Sequence, residues 1–106
     1  MKIRFKSDEL EYYYLTPLSE IKGKQTVTHD ILKQYKRKIQ ILISIESINE
    51  LSLFGSLHFE SLKGARSGEY SIRLNLQYRL IFSITQDDQQ IIEIILIHEI
   101  SKHYEG

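Results

Sequence analysis

The chain reads as an α+β domain in which two N-terminal helices pack on one face of a small, mainly antiparallel twisted sheet. Two periodicities support this. Between Thr28 and Ile45 apolar side chains recur at helical spacing, and from Glu69 to Thr85 they alternate residue by residue. A third stretch, Ile91 to Ile100, is apolar on both faces, the pattern of a central strand covered on each side. Helices followed by a strand meander favour a layered arrangement, because the apolar face of a sheet needs a covering layer. At 106 residues the chain supports a single domain, 1–106, with one modest core.

The first element is a short strand, where Ile3 and Phe5 alternate with Lys2, Arg4 and Lys6. Ser7-Asp8-Glu9 then offers an N-cap and two acidic first-turn residues for a helix running from Asp8 to about Thr16, where Pro17 discourages continuation. Its Tyr12-Tyr13-Tyr14 cluster reads as core and rim packing rather than a base-stacking platform. Residues 19–27 form a polar connector. In the second helix Ile31, Leu32, Tyr35, Ile39, Leu42 and Ile43 fall within about 120° of one face, opposite Lys33, Lys36, Arg37 and Gln40. Ile41 and Ile45 land on the polar side, either as a partner surface or as a helix end buried all round.

Beyond the helix, Ile48, Leu51, Leu53 and Phe54 indicate a short helical turn closed by Gly55. A strand is expected from Leu57 to Leu62, followed by a turn from Lys63-Gly64 to Gly68, the hairpin 69–85, and a polar loop, Gln86-Asp87-Asp88-Gln89, into the last strand. In the hairpin, Tyr70, Ile72 and Leu74 share a face with Tyr78, Leu80, Phe82 and Ile84. Only a three-residue loop, Asn75-Leu76-Gln77, keeps those faces together, since a one-residue slip turns every side chain over. That register sets Arg73 directly across from Arg79. Two opposed arginines repel, and a phosphate between them would fit the guanidinium fork.

Composition narrows the function. No apolar run approaches the ~18 residues of a membrane span, and the N-terminal residues lack a signal-type apolar core, so a cytoplasmic location without membrane contact is expected. Without cysteine there is no disulfide, thiolate nucleophile or Cys-based metal site, and His29, His58, His98 and His103 show no metal spacing. No cofactor or metal is expected. A net charge of zero argues against a general nucleic-acid binder. The cations are nonetheless uneven: Lys22, Lys24, Lys33, Lys36, Arg37 and Lys38 cluster against Asp30, and Lys63, Arg66, Arg73 and Arg79 against Glu60 and Glu69. The first group reads equally well as a solvated helix face.

The run LKG-x-R-x-G-x-YSIR-x-N-x-QYR-x-x-F, residues 62–82, resembles the HigB-like plasmid maintenance killer toxins of the RelE/ParE superfamily, with looser similarity in the helical half and at Glu99-Ile100-Ser101-Lys102-His103-Tyr104. The resemblance implies a microbial-ribonuclease-like fold and a toxin of a type II toxin–antitoxin system. It also implies an mRNA interferase that cleaves without metal through 2′-hydroxyl attack and depends on the ribosome, with a HigA-like helix-turn-helix antitoxin as partner.

Such cleavage needs cations for the phosphate and groups that move protons. Lys63, Arg66, Arg73 and Arg79 are the phosphate-binding candidates. By the resemblance, Lys63 falls on the family's LKG lysine and Arg79 on the arginine of its N-x-Q-[YW]-R segment. The family's Asp-Tyr-His-type tail meets Lys102-His103-Tyr104 here, which makes His103 and Tyr104 the proton-transfer candidates; counting from Arg79 selects His98 instead. Each residue also has an ordinary reading. Arg73 can pair with Glu93 or Glu99, Lys63 can be a turn lysine, Arg66 a loop residue, and His98 a satisfied core histidine. The glycine-rich turn is no P-loop, for it lacks both the Walker spacing and a following helix. Two other functions share the fold: a non-catalytic ParE-like gyrase inhibitor, and an inactive homologue that only binds antitoxin.

Overall fold

The computed structural model describes residues 1–22 and 27–102. Lys2–Phe5 (β1) leads into a helix, Asp8–Leu15 (α1), and after a 3-10 turn at Leu18–Glu20 comes the longer helix His29–Ser44 (α2). Two 3-10 turns, Ile48–Leu53 and Gly55–Leu57, precede the short strand Glu60–Ser61 (β2). Another, Gly64–Arg66, precedes Glu69–Arg73 (β3), Tyr78–Gln86 (β4) and Glu93–Lys102 (β5). The strands form one sheet in the order β1-β5-β4-β3-β2, antiparallel except for the parallel pair β1–β5. This is the expected α+β layering of helices on one sheet face.

The helix ends follow local chemistry. Ser7 Oγ accepts from Leu10 N at 3.2 Å and Thr28 Oγ1 from Ile31 N at 3.3 Å, so each helix starts on a hydroxyl cap. α2 buries Ile31, Leu32, Tyr35, Ile39 and Leu42 against the sheet, and Tyr35 donates its hydroxyl to Leu10 O at 2.7 Å, tying the helices together. Ile43, expected on the buried face, is exposed, whereas Ile45 is buried beyond the helix end and Ile41 is partly buried. The chain leaves helical geometry at Ile45, which folds its side chain back into the core. The tyrosine cluster splits as core and rim, with Tyr13 buried and Tyr12 at the surface, its hydroxyl accepting from Lys22 N at 3.1 Å.

Two strand boundaries differ from expectation. Residues 57–62 are not one strand: Leu57 ends a 3-10 turn with its side chain in the core, and His58 turns the chain through the left-handed region (φ 46°) before a two-residue β2. Ile91 and Ile92 precede β5 and are exposed, because the loop from β4 continues to them, closed by Asp87 Oδ1 accepting from both their amides at 2.8 and 3.1 Å. β5 is flanked by β1 and β4, and the middle strand of the sheet is β4.

The hairpin has the anticipated register. Arg73 lies opposite Arg79, and Leu74 N donates to Tyr78 O at 2.8 Å. Asn75 Oδ1 closes the loop by accepting from Gln77 N and Tyr78 N, both at 2.8 Å. On the helix side, Phe59, Tyr70 and Phe82 stack in sequence with centroids 5.6 and 5.9 Å apart. Phe82 is fully buried at the centre of this layer. Phe82→Ala is expected to cost about 3–5 kcal/mol and Tyr35→Phe about 1 kcal/mol in urea unfolding. A Phe82→Ala loss under about 1 kcal/mol would mean the core is not centred there.

Candidate functional site on the open sheet face

Alternation sends Ser71 and Arg73 of β3, and Arg79, Ile81 and Ser83 of β4, to the face away from the helices. β5 joins them through an irregularity. Ile97 pairs with Phe82 and Ile100 with Leu80, so His98 and Glu99 together face the single residue Ile81, a β-bulge. Its effect is to keep Ile97 and Ile100 toward the core while His98 and Glu99 share the open face. Ser101 stands opposite Arg79, and Glu60 of β2 opposite Ser71.

Arg79 is held inside this face, its side chain only 9% exposed. Nε donates to Ser71 Oγ at 2.8 Å, and Nη2 donates to the carbonyl of His58. Both acceptors are neutral. Among the described residues the nearest carboxylate is Glu60, at 4.0 Å from Nη2. Burial lowers the Arg79 pKa, Glu60 opposes that shift and Arg73 adds to it. The guanidinium is thus fixed in direction without being neutralised. A shallow groove of about 250 Å³ opens beside it, lined by Glu60, Leu62, Arg66, Ser71, Ile81 and Ser101 among others.

Arg66 is bound differently. From the loop before β3 its Nη2 lies 2.8 Å from Glu69 Oε1 and 3.0 Å from Glu99 Oε2, and Nε donates to Glu69 Oε1 at 2.9 Å. His98 lies in the same neighbourhood, its Nε2 2.7 Å from Ser83 Oγ. Burial holds the His98 pKa below its ordinary 6.5; Lys6 and Arg66 push the same way, Glu69 and Glu99 against. The imidazole is therefore neutral at neutral pH and available to accept a proton.

Of the residues singled out in the sequence, Arg73 lies opposite Arg79 and His98 lies near Arg66, all on the open face, with Arg73 lacking an ion-pair partner among the described residues. Lys63 is exposed on the adjoining turn and does not line the groove. His103 and Tyr104 lie outside the described residues. Sequence reasoning grouped Glu60 and Glu69 with the arginines and offered Glu99 to Arg73, but it missed that Glu69 and Glu99 both hold Arg66 and that Ser71 accepts from Arg79; no signal in the sequence showed the bulge that brings Glu99 to this face. Among the described residues no three His, Asp or Glu side chains converge to hold a metal ion, and no helix is long and apolar enough to cross a membrane.

The sequence model of HigB-like toxins, RelE-like toxins of type II toxin–antitoxin systems, matches residues 3–98. The chain belongs to this family. Toxin HigB-1 of Vibrio cholerae serotype O1 is 34% identical over 82 residues, 77% of this chain and 82% of the relative. The YoeB/ParE toxin from Agrobacterium tumefaciens superposes with a TM-score of 0.55 at 18% identity, over 98% of this chain and all of that one, a likeness of fold. The YoeB–YefM complex from Staphylococcus aureus contains a chain with a TM-score of 0.53 and 25% identity, each covered to 98%. The HigB-like match ends on His98, and Lys102-His103-Tyr104 lies past it.

The lowered His98 pKa fixes the sign of a pH effect. A midpoint below that of the unfolded chain gives stability that is complete above pH 6.5 and is lost as pH falls through the folded midpoint. NMR titration should place the His98 midpoint below 6.5, and His98→Gln should flatten the acid loss of thermal stability. A midpoint at or above 6.5 would contradict the desolvated setting of the ring.

Proposed function

We propose that this HigB-like toxin cuts mRNA in the ribosome, on the open sheet face and without a metal ion. The reading is carried by Arg79: a buried guanidinium held at Nε and Nη2 by neutral oxygens, its Nη1 without a partner among the described residues and Arg73 opposite it in the ladder, suits a phosphate oxygen. A purely structural arginine would more commonly be paired with a carboxylate in contact, and the nearest described one stands at 4.0 Å.

In the proposed reaction Arg79 and Arg73 take the charge that builds on the phosphate oxygens. His98, neutral and on the same face, accepts the 2′-hydroxyl proton. The 2′-oxygen bonds to phosphorus, the bond to the 5′-oxygen breaks, and the leaving oxygen takes a proton from water. The products are a 2′,3′-cyclic phosphate and a 5′-hydroxyl. His98 is preferred to the His103–Tyr104 tail because it stands beside Arg66 on this face. Lys63, exposed on the turn, is assigned to the RNA backbone outside the groove. A chain with a net charge of zero and few reactive groups suits a reaction in which the ribosome orients the codon.

The partner in this proposal is a cognate antitoxin of the HigA-like helix-turn-helix kind, and the place of action is the cytoplasm. A structurally similar chain is itself found in a YoeB–YefM complex.

Inducible expression followed by mapping of mRNA 5′ ends tests the reading. Wild type should arrest growth and create new 5′ ends within translated regions, and should cut translated mRNA far more than naked RNA. Arg79→Ala and His98→Gln should each reduce cleavage by about 100-fold or more, while His103→Gln should not. Dependence on His103 alone would move proton transfer to the tail. Arrest that survives Arg79→Ala, or strong inhibition of purified gyrase, would replace the ribonuclease with the gyrase reading.

A further inference from the structure

Two arginines on this face are treated in opposite ways. Arg79 is held by a hydroxyl and a carbonyl, with no carboxylate among the described residues closer than 4.0 Å; Arg66 is ion-paired with two carboxylates that offset its charge. The atoms involved make the second case restrictive. A guanidinium offers an oxyanion two forks, Nε with Nη2 and Nη1 with Nη2, and Nη2 belongs to both. In Arg66, Nη2 is shared by Glu69 and Glu99, and Nε is taken by Glu69. No phosphate can engage Arg66 by a fork until a carboxylate leaves.

The same contacts are built to be displaced. The side chains of Arg66 and Glu99 are 43% and 48% exposed, and exposed pairs of this kind are weak and salt-sensitive. Arg66 sits on a short turn between Gly64 and Gly68, which adopt φ values of 66° and 95°. A Cβ at either glycine would meet nothing within 4 Å, so the turn is set by backbone shape and not by packing. Glu99 owes its place to the bulge, which puts it on the open face beside His98.

We propose that Glu99, with Glu69, is a specificity-determining guard: the two carboxylates occupy Arg66 and withhold it from the phosphodiesters of free single-stranded RNA. RNA held in a fixed pose, as in the proposed function on which this inference rests, supplies a phosphate that displaces Glu99 and recruits Arg66. The guard therefore selects against unoriented RNA instead of adding affinity for it.

Fluorescence anisotropy with a short labelled 2′-O-methyl single-stranded RNA, which cannot be cleaved, reads this directly. Glu99→Gln should tighten binding about 3- to 10-fold at low salt and steepen the log–log salt dependence by about 0.7, one extra phosphate contact. The gain should vanish in the Arg66→Ala/Glu99→Gln double variant, which should match Arg66→Ala alone. A gain that persists without Arg66 would reduce the effect to a change in overall charge and overturn the guard. No tighter binding in Glu99→Gln, including no detectable binding by either protein, would overturn it too. The two proposals fail separately: cleavage lost in Arg79→Ala with Glu99→Gln inert removes only the guard, while a guard signature without any cleavage removes the ribonuclease reading.

Discussion

Arg79 constrains more of this molecule than any other side chain on the open face. A buried guanidinium must find acceptors, since an unsatisfied charged donor is far costlier than a lost neutral bond. Ser71 supplies one from β3, and His58 supplies the other from the left-handed residue ahead of β2. One arginine on β4 thus ties down β3 and, across it, the segment that leads into β2. This matters most for β2, whose two residues provide too short a ladder to hold their own register. Leu57 in the core and the His58 carbonyl on Arg79 pin that segment from its two sides. The unusual backbone at His58 (φ 46°) has a use, because it turns the carbonyl toward the guanidinium.

The bulge in β5 does equivalent service on the other flank. In a regular strand, Ile97 and Glu99 would share a face and His98 would share the other with Ile100. Either the core would receive a carboxylate or the open face would receive Ile100. One extra residue resolves the conflict, sending both isoleucines inward and both polar side chains outward. The cost is a break in the ladder at one point. The result is an imidazole, a carboxylate and the tip of Arg66 within one neighbourhood. Packing and site chemistry are coupled here, for the two inward isoleucines are what permit the two outward polar groups.

What the sequence showed was what local chemistry decides. Capping residues and Pro17 located α1, apolar spacing located α2 and the hairpin, and a three-residue loop was enough to set Arg73 against Arg79, because face matching leaves one register. The family resemblance and the layered fold were legible on the same residues. Neighbours in the sheet but far apart in the chain were not. Nothing in the alternation of β5 announces a bulge, so His98 read as one residue in an apolar run and Glu99 as a possible partner for Arg73, whereas it pairs with Arg66. Ser71 looked like an ordinary outward serine until Arg79 was seen to lean along the strand onto it. Ile91 and Ile92 read as strand because hydrophobicity alone cannot tell a strand from the end of a loop.

The zero net charge takes on a different meaning at the level of this surface. The face does not lack cations; it distributes carboxylates unequally among them. At one end Arg73 and Arg79 stand opposed with Glu60 no nearer than 4.0 Å to the buried Nη2, while at the other Arg66 is enclosed by Glu69 and Glu99. The positive charge is thus less compensated at the first end than at the second. Four residues of β4, about 13 Å of strand, separate Arg79 from Ser83, which His98 contacts, and Arg79 covers part of that distance by leaning onto Ser71. In the proposed reaction it is polarity along one sheet face, and not total charge, that would orient a chain of phosphates.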